Sequence, residues 1–80
     1  MKPVREGMFA RSLAGHDKGK LYVIVKSEEP YVWLADGKLR TLDRPKKKKL
    51  MHVQPDYAQA PVTSDLEIRK ALKAKEVKNV

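Results

Sequence analysis

Lys20-Leu21-Tyr22-Val23-Ile24-Val25-Lys26 decides the fold class of this chain. Successive side chains of an extended strand point to opposite faces, so Leu21, Val23 and Val25 share one face and Tyr22 and Ile24 the other. β-Branched and aromatic residues fill most of the run, which favours a strand over a helix. Both faces are apolar, so the strand expects cover on both sides. The run is also the longest aliphatic and aromatic stretch of the chain, far short of the ~20 residues that span a bilayer. No transmembrane helix is expected.

Upstream, Gly15-His16-Asp17-Lys18-Gly19-Lys20 has the look of a phosphate-binding loop, since glycines let backbone amides approach an anion. The spacing fails that reading. A nucleotide-binding P-loop has four residues between its glycines and a hydroxyl residue after the lysine, whereas this segment has three and then Leu21. It precedes a strand rather than a helix, so a tight connection between two strands is expected. Residues 7–12 form the first of those strands, with Met8 and Ala10 on one side and Phe9 and Arg11 on the other.

Downstream, Glu28-Glu29-Pro30 breaks the chain and Tyr31-Val32-Trp33-Leu34 resumes it as a third strand. Asp36-Gly37 is a turn signal, because glycine tolerates the positive φ of two-residue hairpins. Residues 38–42 are expected to return antiparallel to the third strand, and Leu50-Met51-His52-Val53 to form a short fifth one beyond a lysine loop. Five short strands in so small a unit favour closure into an antiparallel barrel, SH3-like in size, which removes exposed edges. The fold class expected is therefore mainly β, a small five-stranded SH3-like barrel with a C-terminal α-helix.

After the barrel, Gln54-Pro55-Asp56-Tyr57-Ala58-Gln59-Ala60-Pro61 has two prolines and no periodicity, and reads as a linker. Ser64-Asp65-Leu66-Glu67 is a capping box, and Ile68, Ala71 and Leu72 then share one helical face. The expected organisation is a barrel over residues 1–54, a linker over 55–63 and a helix over 64–78. A helix of that length is marginal alone, so it must pack on the barrel, on another chain or on RNA.

Composition narrows the chemistry. Eighty residues make one domain, and the absence of cysteine removes both a disulfide framework and a thiolate zinc site. No apolar stretch of signal-peptide length follows the start, and Lys2 in place of glycine excludes myristoylation, so a cytoplasmic protein with no membrane partner is expected. The net charge of +8 makes a polyanion the expected partner. Residues 1–53 carry 13 basic and 6 acidic side chains, or +7, against +1 for residues 54–80. Residues 36–52 alone hold Lys38, Arg40, Arg44, Lys46, Lys47, Lys48 and Lys49 against Asp36 and Asp43. Such cations bind phosphates without reading bases. Aromatic residues are only 6% of the chain, so no base-stacking platform is expected and structured RNA is preferred over unpaired bases.

His16 and His52 are the only histidines, and any metal would have to recruit carboxylates such as Asp17 or Asp43; no metal or other cofactor is expected. His52 reads as a partly buried strand residue, His16 as a solvent-facing loop residue. Trp33, alternating with Val32 and Leu34, reads as core or barrel mouth. No nucleophile and base stand together, so catalysis is not expected.

Gly7-Met8-Phe9-Ala10-Arg11-Ser12-Leu13-Ala14-Gly15-His16-Asp17-Lys18-Gly19-Lys20-Leu21-Tyr22-Val23-Ile24-Val25 resembles a KOW motif, the strand-loop-strand element of SH3-like barrels in several ribosomal proteins and in the NusG transcription factors. Val32-Trp33-Leu34-Ala35-Asp36-Gly37-Lys38-Leu39-Arg40 and Pro45-Lys46-Lys47-Lys48-Lys49-Leu50-Met51-His52-Val53 resemble more narrowly the L14e/L27e family of ribosomal proteins and the small bacterial proteins similar to it. The resemblance implies an RNA-binding protein of the translation apparatus that contacts ribosomal RNA or the ribosome. It implies RNA contacts through His16, Lys18 and Lys20, and through Arg40, Arg44, Lys46, Lys47, Lys48, Lys49 and His52. The alternative is a protein-interaction adaptor that docks a partner on the barrel or on the Ile68-Ala71-Leu72 face.

Overall fold

The structure, a computed structural model, describes residues 3–78, with side chains through Glu76. The two-faced run at its centre is strand β2 (Leu21–Glu28), and both of its faces are covered. Around it lie β1 (Met8–Ser12), β3 (Tyr31–Ala35), β4 (Lys46–Lys49) and β5 (Val53–Gln59), followed by α1 (Asp65–Lys78). The strands form one antiparallel sheet in the order β4-β3-β2-β1-β5. A single 3-10 turn, Leu50–His52, joins the two edge strands. The Leu50 N–H donates to the Pro30 carbonyl at 2.8 Å, and the His52 carbonyl accepts from the Leu13 N–H at 2.9 Å. These bonds draw the edges round into a small barrel-like unit, so the mainly β fold with a C-terminal helix is as expected.

Side-chain alternation builds two apolar layers from one sheet. Met8, Ala10, Tyr22, Ile24, Val32, Leu34 and Val53 fill the concave interior, with Val4 and Leu50 against them. Phe9, Leu21, Val23 and Ala35 face outward and are roofed by Ile68 of α1 and by Ala60, with Leu42, Ala71 and Leu72 at the margin. The helix thus docks on the back of the sheet. Ser64 Oγ accepts from the Glu67 N–H at 3.1 Å and caps its start. Asp65 Oδ1 accepts from the Leu42 N–H at 2.9 Å, and Arg69 donates to the Gly37 carbonyl at 2.7 Å, so the loop between β3 and β4 is tied to the first turns of the helix.

Three local expectations are corrected. Residues 38–42 are a loop, because Asp36 Oδ1 accepts from the Lys38 and Arg40 amides, at 2.8 and 2.9 Å, that a strand would have offered to β3. The strand that pairs with β3 is the lysine run itself. The segment at residues 50–53 is mostly the 3-10 turn, and the fifth strand begins at Val53 and runs through Gln59, where a linker was expected. Prolines are tolerated on an edge strand, which leaves one side of its backbone unpaired; Pro55 lies opposite Ala10, and β5 pairs with β1 alone. Only residues 60–64 remain as a connection to the helix.

Candidate nucleic-acid interface

The centre of the site is Asp17, in the loop between β1 and β2. Gly15 and Gly19 adopt φ of +87° and +91°, as tight turns at these points require. The amides of Lys18, Gly19 and Lys20 bond to the carbonyls of Gly15, Ser12 and Asp17, so they are spent within the loop and make no anion cradle. The Asp17 carboxylate instead turns into the barrel mouth. Its Oδ1 accepts from Ser12 Oγ at 2.8 Å and Lys48 Nζ at 3.1 Å; its Oδ2 accepts from Tyr22 Oη at 2.8 Å and Lys46 Nζ at 2.9 Å. Burial by itself would raise the pKa of Asp17, but bonds from Lys46, Ser12, Tyr22 and Lys48 outweigh it and hold the carboxyl well below the usual carboxylate range. Burial, together with the neighbouring carboxylate, pushes the Tyr22 hydroxyl the other way, upward.

Strand periodicity splits the lysine run. Lys46 and Lys48 point inward to Asp17, and Lys48 also donates to the Ala14 carbonyl at 2.8 Å. Lys47 and Lys49 point outward and are exposed. Their long stems let lysines occupy consecutive strand positions, because each aliphatic chain packs while its ammonium reaches a partner or water. Lys46 and Lys48, expected among the RNA contacts, share the single Asp17 carboxylate, which offsets one of their two charges.

On the outer face of β2, β3 and β4, Trp33 lies opposite Lys26 on one side and Lys47 on the other, and Tyr31 lies opposite Lys49. Lys26 Nζ is 4.7 Å from the Trp33 ring centre; Lys47 Nζ is 4.2 Å from that of Tyr31 and 5.6 Å from that of Trp33. Exposed pairs of this kind are worth about 0.5–1 kcal/mol. Trp33 is therefore a half-exposed residue of the sheet's back, not core. The signal for this was the alternation itself: Val32 and Leu34 inside place Tyr31 and Trp33 outside together.

The loops at residues 13–20 and 36–45 leave the same end of the sheet, as the pairings Arg11 with Leu21 and Val23 with Ala35 require. Lys20 Nζ, 2.6 Å from Asp36 Oδ2, ties them together. Burial would raise the Asp36 value, but Lys20 and the Arg40 and Lys38 amides lower it, so Lys20 is also a partnered charge. His16, Lys18, Arg40 and Arg44 stand exposed on these loops, while His52 is half-buried in the 3-10 turn. The helix adds cations that its near-neutral total concealed: Lys70 and Lys73 flank a groove shared with Lys20 and Lys38, floored by Leu21 and Leu72. Ile68 is fully buried and Ala71 and Leu72 partly so. Within the face named for an adaptor, Ile68 therefore packs on the sheet, with Ala71 and Leu72 at its margin.

Among the described residues, no group of three or more side chains has metal-ligating composition, and no helix is long and apolar enough to cross a membrane. Compared with protein-family models and with curated proteins, the chain matches neither a family nor a curated sequence.

Proposed function

We propose that this protein binds structured RNA, in the first place ribosomal RNA, as a non-catalytic component or factor of the cytoplasmic translation apparatus. One observation carries the reading. Lys20, Lys46 and Lys48 are ion-paired with Asp36 and Asp17, whereas Lys18, Arg40, Arg44, Lys47 and Lys49 make no ion pair with a carboxylate among the described residues. A surface with unbalanced, exposed cations gains free energy from a polyphosphate by releasing its counterions. His16 and His52 flank these cations as further donors to phosphate, and Lys20, Lys46 and Lys48 serve the interface by holding its loops and strand in place.

Binding of ribosomal RNA fragments across a salt series tests this reading. The wild-type chain is expected to lose affinity steeply as salt rises. Replacing Lys47 and Lys49 together by glutamine should flatten the slope of log K against log salt by about 2, since each phosphate contact contributes ~0.9. Affinity indifferent to salt, or a slope unchanged in the double variant, would overturn the assignment of phosphate contacts to this strand.

A further inference from the structure

We infer that the back of the β2-β3-β4 sheet receives one unpaired RNA base, stacked on Trp33, with Lys26 and Lys47 on the adjoining phosphates. This rests on the reading that the protein binds RNA and specifies what the sheet face takes. Three features of the face converge on it.

First, the helix roofs only part of the sheet's back: Ala35, two positions along β3, lies in the apolar layer under Ile68, while Trp33 and Tyr31 lie outside that layer. Two aromatic side chains at alternate positions of one strand are thus left with their ring faces directed at ammonium groups rather than at the core. Second, a β-bulge between Ile24 and Lys26 breaks the alternation of β2. Without it Lys26 would follow Tyr22 and Ile24 into the barrel; with it Lys26 emerges opposite Trp33, as bulges at functional surfaces re-aim side chains. Third, the carboxylate that pairs with Lys26 is Glu28, and that ion pair is long at 3.9 Å and exposed on both sides. Such a pair offsets the Lys26 charge beside Trp33 only weakly.

A lysine resting over an exposed ring is held less firmly than a nucleobase stacked on that ring. Entry of a base displaces the ammonium groups from the ring faces, and each finds a phosphate oxygen of the same strand within reach of its flexible stem. A paired base in a helix cannot lie on the ring, whereas a bulged or loop base can. Stacking on one ring is tolerant of base identity, so the site reads the presence of an unpaired base in a structured RNA rather than its sequence.

Trp33 is the only tryptophan of the chain, so its emission reports the site directly. The full chain is titrated with a hairpin RNA carrying an unpaired purine bulge and with the same stem fully paired. Quenching of Trp33 by the bulged RNA alone, with about tenfold tighter binding, is the expected result. Trp33→Ala should abolish the affinity difference and Trp33→Phe should keep most of it, with circular dichroism confirming both folds. Equal, salt-dependent binding of the two RNAs with unchanged emission would overturn the stacking site and leave the RNA reading standing. No binding of either RNA at low salt would overturn both.

Discussion

Asp17 organises more of this molecule than any other single residue. A carboxylate between two glycines in a cationic chain reads locally as a loop residue, and nothing within a few positions of it shows otherwise. Its lysine partners lie 29 and 31 residues away in the chain. Removing its charge with Asp17→Asn would leave the Lys46 and Lys48 ammonium groups at the barrel mouth unbalanced, and the expected loss is about 3 kcal/mol by urea denaturation at neutral pH. The sign of the pH dependence follows from the lowered pKa. Because the folded-state value lies below the ordinary 3.8, the stability Asp17 contributes is complete above that pH and drains away as the pH falls beneath it. The gap between wild type and variant should therefore narrow in acid. A gap that stays constant from neutral pH to below 3.8 would mean that the ion pairs contribute nothing.

At the scale of the element, β2 and α1 were legible and β4 was not. Apolar residues on both faces of residues 20–26 demanded cover on both sides, and the barrel interior and the helix supply it. The capping serine and the Ile68-Ala71-Leu72 face were visible in helical spacing, but which surface that face meets depends on residues far away along the chain. Ile68 has no accessible surface, and its neighbours in the roof are Phe9, Leu21, Val23 and Ala35. Ile68→Ala is expected to cost about 3 kcal/mol and to lower the urea midpoint of strand and helix signals alike. Destabilisation of the helix signal alone would show that α1 is an appendage. A tetralysine carries no hydrophobic alternation, so local pattern cannot announce β4; its strand character comes from Asp17 beneath it and the rings of Tyr31 and Trp33 above and beside it.

For the whole molecule, one sheet with an apolar layer on each side predicts one cooperative transition. Trp33 fluorescence, which reports the sheet, and circular dichroism at the helix minimum should give coincident urea curves. Separate midpoints would contradict a shared core. Alternation along β2, the broken run at Glu28-Glu29-Pro30, the capped helix and the +8 net charge are properties of neighbouring residues or of totals, and the chain determined them by itself. The mainly β fold with a C-terminal helix followed from them. Where the charge is usable did not. Asp36 diverted residues 38–42 from a strand into a loop, Asp17 withdrew alternate lysines from the surface, and docking of α1 brought Lys70 and Lys73 beside Lys20 and Lys38. Each outcome depends on a carboxylate or an apolar face meeting a partner distant in sequence, and only the folded chain brings such partners within bonding distance.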